Sequence, residues 1–252
     1  MSTADTVTVQ STDTVRLGTG GVGCLLLHGF SGSPPELLPL AERLAAAGLA
    51  VLGPRLAGHG TRPEDLVHVT WQDWVASARG ALAELRGDCG QVYVVGFSMG
   101  GTLALHLARN EDFRGLVLLG APVTYPHPIF PLLPILKHLT RYYTTSGSSD
   151  LTDPTAMDQM MTYKRISVSA LNELRMLIKR ARAALPAVTC PTLILHGGRD
   201  RTVRCTNAQL IHRRLTASDK RMVVFPRSGH ALMLDVEREE VWREIHRFIR
   251  EH

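Results

Sequence analysis

The run Val92-Tyr93-Val94-Val95-Gly96-Phe97 is apolar without a break, stops at Ser98, and passes through Met99-Gly100-Gly101 into a helix-forming stretch that reaches about Arg109. A Gly-x-Ser-x-Gly turn wedged between a β-type run and a helix-type run forces the serine into a strained backbone conformation. Glycines on either side let the chain turn without a Cβ clash. The corner lifts the serine hydroxyl clear of a sheet and sets the next amide among the unpaired donors at a helix N-terminus. Ser98 is therefore a candidate nucleophile, and the Met99 amide is a candidate donor to an oxyanion.

The rest of the chain repeats this strand-then-helix rhythm. Val22 to Leu27 is a second unbroken apolar run, as expected of a strand buried on both faces of a parallel sheet. It ends in His28-Gly29-Phe30, and a helix follows from Ser31-Gly32-Ser33-Pro34-Pro35 to Gly48. A strand over Leu49 to Leu52 leads into a loop containing Gly58-His59-Gly60. Thr70, with Asp73 three residues on, reads as the N-cap of a helix running to about Arg86. Leu116 to Leu119, Pro191 to Leu195 and Met222 to Phe225 read as further strands. Helices are expected at about Asn207 to Leu215 and Glu237 to Arg250. This alternation argues a doubly wound parallel sheet.

Between Leu119 and Pro191 the rhythm fails. Prolines at 122, 126, 128, 131 and 134 interrupt an apolar tract, and helix-like segments lie around Asp153 to Tyr163 and Ser167 to Ala184. We read residues 122–186 as a small helical cap set into a core made of residues 1–121 and 187–252. Ile129, Phe130, Leu133, Leu136, Met157 and Met161 are its candidate lining for an acyl-chain site; methionines adapt to variable shapes. The other reading is that these residues pack the cap against the sheet.

A serine hydroxyl needs a base to take its proton and a third group to hold that base. Residues just beyond the C-terminal ends of parallel strands gather on one edge. Asp200 and His230 lie just past two late strands, and Ser98 leaves its own strand at the same edge. His28, His59 and His196 also lie in loops that can reach this edge, but each is expected to fix a loop by hydrogen bonding. Of the rival acids, Asp219 precedes its strand and so falls on the wrong edge, and Asp235 is expected to cap the last helix. Phe30, directly after its strand, is placed to offer a second amide to an oxyanion.

His28-Gly29-Phe30, Gly58-His59-Gly60, Gly96-Phe97-Ser98-Met99-Gly100, Asp200 and Ser228-Gly229-His230 together resemble the α/β-hydrolase superfamily over nearly the whole chain. The order serine, acid, histidine is the one associated with that arrangement. Asp65-Leu66-Val67-His68 and Trp71-Gln72-Asp73-Trp74, with the single insertion after Leu119, resemble the small bacterial carboxylesterases and monoacylglycerol lipases. The resemblance implies a mostly parallel sheet flanked by helices and carrying a small helical cap. It also implies hydrolysis of uncharged apolar esters through an acyl-enzyme. Ser98 would be the nucleophile, His230 the base, Asp200 its orienting acid, and the Phe30 and Met99 amides the oxyanion hole. A thioesterase or acyltransferase using the same residues, and a non-catalytic binding protein on the same fold, are the alternatives.

Composition narrows the partners. Of 252 residues 44% are hydrophobic and 20% charged, and the net charge of +5 comes almost wholly from arginine, lysine standing only at 137, 164, 179 and 220. No basic cluster interleaves with aromatics, so nucleic-acid binding is not expected. Cysteines 24, 89, 190 and 205 show no Cys-x-x-Cys spacing and read as free thiols; no metal or organic cofactor is implied. A polar N-terminus and the lack of a bilayer-length apolar run point to a cytoplasmic protein without stable membrane insertion; a monomer or homodimer is expected.

Overall fold

The computed structural model describes residues 13–144, 150–153, 155, 156, 163 and 165–252. The helix-like stretch expected around Asp153 to Tyr163, with Met157, Met160 and Met161, falls largely outside them. Strands β1 (Val15–Leu17), β2 (Val22–Leu27), β3 (Ala50–Gly53), β4 (Gln91–Phe97), β5 (Gly115–Leu119), β8 (Thr192–Gly197) and β9 (Lys220–Phe225) form one seven-stranded sheet ordered β1-β3-β2-β4-β5-β8-β9. All neighbouring pairs run parallel except β1 with β3.

The unbroken apolar runs are explained by what covers the two faces. Helices α1 (Leu38–Ala46) and α7 (Arg238–Glu251) pack on Cys24, Leu26, Tyr93, Val95, Val117 and Leu119. Helices α2 (Trp71–Asp88), α3 (Met99–Leu107), α5 (Val168–Ala184) and α6 (Thr206–Arg214) cover Leu25, Leu27, Val92, Val94, Leu116 and Leu118. Odd and even residues of each central strand therefore bury into opposite layers, and a polar residue at either parity would meet apolar neighbours. At the start of α2, the Thr70 amide and hydroxyl donate to the Asp73 carboxylate at 2.8 and 2.7 Å.

The connection between β5 and β8 carries a short 3-10 turn at Phe130–Leu132, helix α4 (Leu133–Leu139) and a two-stranded ribbon, β6 (Tyr142–Thr144) with β7 (Arg165–Ser167), before α5. Helix α5 packs on both α3 and α4. The ribbon is not visible in the sequence, because strands of three residues are too short to show alternation. No helix among the described residues is long and apolar enough to cross a membrane.

Candidate active site

Ser98 sits between β4 and α3 with φ 51° and ψ −115°, a left-handed conformation that costs a non-glycine residue on the order of 1–3 kcal/mol. It persists because the corner is packed on backbone. A Cβ on Gly100 would lie 2.0 Å from the Leu27 carbonyl oxygen, so only glycine lets the first turn of α3 rest against the end of β2. The Ser98 amide donates to Leu119 O at 2.8 Å, tying the corner to β5 as well.

The loops after β8 and β9 bring the other candidates to the same edge. His230 Nε2 lies 2.9 Å from Ser98 Oγ, and His230 Nδ1 lies 2.7 Å from Asp200 Oδ2. The Asp200 side chain is fully buried and that of His230 is 10% exposed. Burial pushes the Asp200 carboxyl upward, but hydrogen bonds from His196 and His230 and the amide of Val203 outweigh it and hold the group well below the ordinary carboxylate range. An anionic Asp200 accepts Nδ1–H, and that tautomer turns the Nε2 lone pair toward the serine proton.

Met99 opens α3, so its amide belongs to the unpaired first-turn donors. The Phe30 amide donates to no group among the described residues. The Phe30 ring lies edge-on to His59 and Trp74, each with centroids 6.0 Å away, which fixes the loop that carries its amide.

A family model described as serine aminopeptidase, S33, matches residues 23–237, from β2 through the loop that holds His230. The chain belongs to this hydrolase family, within the α/β-hydrolase superfamily. It is 36% identical over 234 residues to the thermostable monoacylglycerol lipase of Bacillus sp. (strain H-257), covering 92% of each chain. It is 26% identical over 231 residues to a carboxylesterase of Bacillus subtilis (strain 168), covering 91% of this chain and 93% of that one. A solved structure from work on two metagenome-derived lipolytic enzymes, LipS and LipT, superposes with a TM-score of 0.91 at 30% identity, over 96% of this chain and 98% of that chain.

In this α/β-hydrolase the rival histidines hold loops. His28 Nδ1–H donates to Gly29 O at 2.9 Å and its Nε2 accepts from Leu56 N at 3.2 Å, joining the loops after β2 and β3. His59 donates from Nδ1 to Ala57 O at 3.0 Å. Burial lowers His28 to about 4 and His59 to about 3, so both stay neutral where the enzyme folds. His196 does more than fix a loop. It is part of β8, and its Nε2 lies 2.8 Å from Val203 O and 3.2 Å from Asp200 Oδ2, which places a second imidazole on the candidate acid.

Asp235 is not the helix cap that the sequence suggests. Glu237 occupies the position before α7, and the fully buried Asp235 carboxylate accepts the amides of Thr152, Asp153, Gly229 and Val236 at 2.7 to 3.1 Å. Asp219 lies before β9, where its carboxylate meets His252, away from Ser98.

Ile129, Phe130, Leu133 and Leu136 do come together. With His127, Thr140, Tyr143, Ile166, Val168 and Leu171 they line a cavity of about 210 Å³ whose exposed wall surface is almost wholly apolar. Ser98, Asp200 and His230 are not among its lining residues. A larger groove of about 680 Å³ between α1 and α7, lined by Arg43, Trp242 and Arg247, contains none of the candidate residues.

Glu36 is a buried carboxyl that the sequence reading passed over. It is 1% exposed and accepts the Gly29 amide at 3.2 Å, directly beneath the loop bearing Phe30. Burial raises its pKa to about 8, the Gly29 hydrogen bond pulling the other way. Folding therefore traps a proton that the unfolded chain gives up at ordinary carboxylate pH. The resulting stability is complete below about pH 4.5 and is lost as pH rises through about 8. Glu36→Gln cannot ionise, so its stability relative to wild type should improve by on the order of a few kcal/mol between about pH 5 and about pH 8 in urea unfolding. A difference that does not change with pH would mean that Glu36 is charged in the folded protein. His28 and His59 act in the opposite sense: their contribution is present above about 6.5 and is lost as pH falls toward 4 and 3.

Proposed function

We propose that this chain is a serine carboxylic-ester hydrolase acting through an acyl-enzyme on uncharged, apolar acyl esters, either short- to medium-chain carboxylesters or monoacylglycerols. The observation that carries the reading is the relay Ser98 to His230 to Asp200, at 2.9 and 2.7 Å, hung on a strained strand-to-helix corner.

On this reading the serine Oγ attacks the ester carbonyl while Nε2 of His230 takes its proton. The imidazolium is stabilised by anionic Asp200 and then returns the proton to the departing alcohol. The Phe30 and Met99 amides hold the oxyanion. Water enters the acyl-enzyme by the same route in reverse and releases the acid. Residues 122–186 serve as the cap, and the cavity behind Ile129, Phe130, Leu133 and Leu136 takes the acyl chain, since walls that expose almost no polar surface suit a hydrocarbon tail. The names of the Bacillus relatives, a monoacylglycerol lipase and a carboxylesterase, support an ester substrate.

The test sets nitrophenyl esters of rising acyl length and a long-chain monoacylglycerol beside a matched acyl thioester and an aminoacyl anilide. A phosphonate label is mapped by mass spectrometry in parallel. The expected outcome is turnover of the oxygen esters with the label on Ser98. Turnover of the thioester or the anilide alone would replace the ester reading, and a label elsewhere would remove Ser98 from its role.

A further inference from the structure

The segment returning from the β5–β8 connection crosses directly over the two loops that carry His230 and Asp200. Asp150 Oδ1 accepts the amide of His230 at 3.0 Å, and Oδ2 accepts the amide of Arg201, the residue after Asp200, at 2.7 Å. One carboxylate therefore bridges the backbone of the histidine and the backbone next to the acid. The contact is close enough to dictate a residue on the other side. A Cβ on Gly229 would lie 2.1 Å from Asp150 O, which explains the glycine immediately before His230.

The same segment makes separate ties to the backbone nearby. Thr152 donates from Oγ1 to Arg227 O at 2.8 Å, and the amides of Thr152 and Asp153 reach the same Asp235 carboxylate that holds Gly229 N. Glu237 takes Ser228 Oγ and Arg227 N at 2.8 and 2.9 Å. Around the histidine loop, then, three carboxylates supply acceptors to the backbone amides of Arg227, Gly229 and His230, and the one belonging to the segment between β5 and β8 reaches furthest, into the Asp200 loop as well.

We propose that Asp150 is a positioning residue for the hydrolysis: by clamping the amides of His230 and Arg201 together it sets the separation of His230 and Asp200, and it couples the cap to the reacting centre. Serine, histidine and acid stand on three separate loops, and hydrogen-bond reach between them is kept only if the loops hold register to a fraction of an ångström. Backbone contacts already join two of them, Arg199 N to Ser228 O at 2.9 Å and Gly198 N to Phe225 O at 2.7 Å, at the base of the loops. Asp150 closes the open end, beside the imidazole.

The inference rests on the serine-hydrolase reading, and the experiment separates the two. Wild type, Asp150→Ala, Asp150→Asn and Thr152→Val are compared on nitrophenyl acetate, too short to need the cap cavity, and on a long-chain nitrophenyl ester. Melting curves check folding. Misplacing a reacting group by about an ångström costs up to about a hundredfold in rate. Asp150→Ala should thus lower kcat on both esters by roughly tenfold to a hundredfold with KM for the acetate nearly unchanged. Asp150→Asn is isosteric and keeps one acceptor, so it should fall between Ala and wild type. Thr152→Val, which cuts a neighbouring tie of the same segment, should keep its kcat. The downfield proton resonance of the His230–Asp200 hydrogen bond should broaden in the Asp150 variants.

If kcat on the acetate is unchanged in both Asp150 variants and only KM for the long ester rises, Asp150 merely tethers the cap and the proposal is overturned. An equal kcat loss in Thr152→Val would also overturn it, by assigning the effect to general loosening. Should Asp150→Ala not fold, Asp150→Asn decides alone on the same criteria. Absence of Ser98-dependent turnover in wild type would instead remove the underlying reading, and the proton resonance would still report whether Asp150 orders His230.

Discussion

Ser98→Ala is expected to remove turnover of every ester by about a millionfold in kcat, to the level left by binding and the oxyanion donors, while substrate affinity stays near wild type. The size follows from what is lost. Among the described residues no other hydroxyl is hydrogen-bonded to His230 Nε2, so none stands ready to inherit the proton transfer. The same position also separates chemistry from folding. With φ at 51°, Ser98 holds the corner against its own backbone preference, and alanine keeps that strain. Ser98→Gly should be equally inactive yet more stable than Ser98→Ala by on the order of 1 kcal/mol in thermal unfolding. Activity surviving in Ser98→Ala, read by initial rates on a nitrophenyl ester, would move the nucleophile elsewhere.

Asp200→Asn is the second large effect, expected at roughly ten-thousandfold in kcat. The hydrogen bonds dictate how the amide would sit. Asp200 Oδ1 accepts the amides of Thr202 and Val203 at 2.9 and 2.7 Å, so the asparagine oxygen must stay there. Its NH2 then occupies the Oδ2 position facing His230 and donates to Nδ1. The imidazole is driven to the tautomer with its proton on Nε2, pointing at Ser98, where a lone pair is required. The fold should survive, because shape and volume hardly change. Near-wild-type rates for Asp200→Asn would assign the orienting role to another acid.

Much of this architecture is legible in the sequence for a simple reason. The central strands bury both parities of their residues, so they appear as unbroken apolar runs, and the runs of β2, β4, β8 and β9 lead into short motifs of glycine and a chemical residue at the same sheet edge. Much of what the sequence hides is decided by the path of the β5–β8 connection. Asp235 lies just before the last helix and reads as its cap, but its neighbours turn out to be Thr152 and Asp153, more than eighty residues away. Asp150 carries no local signal at all; the only trace of its position is the glycine at 229, whose reason is visible only once the chain above it is in place. His196 reads as a loop histidine because β8 runs two residues past its last aliphatic side chain. Glu36 carries no mark of its burial in the sequence: it follows Pro34 and Pro35 in a short helical segment, and only the fold turns the carboxyl inward beneath Gly29.

The contact between Gly100 and Leu27 makes the distance from the serine corner to the Phe30 loop a matter of main chain resting on main chain. A gauge of that kind does not wear. Exchanging aliphatic side chains in either core layer shifts helices by tenths of an ångström, but it leaves no atom between α3 and the end of β2 to be thickened or thinned. If the proposed function holds, the cavity can therefore be re-cut for a different acyl group with the serine corner and the Phe30 loop still at their original spacing, provided that residue 100 remains glycine.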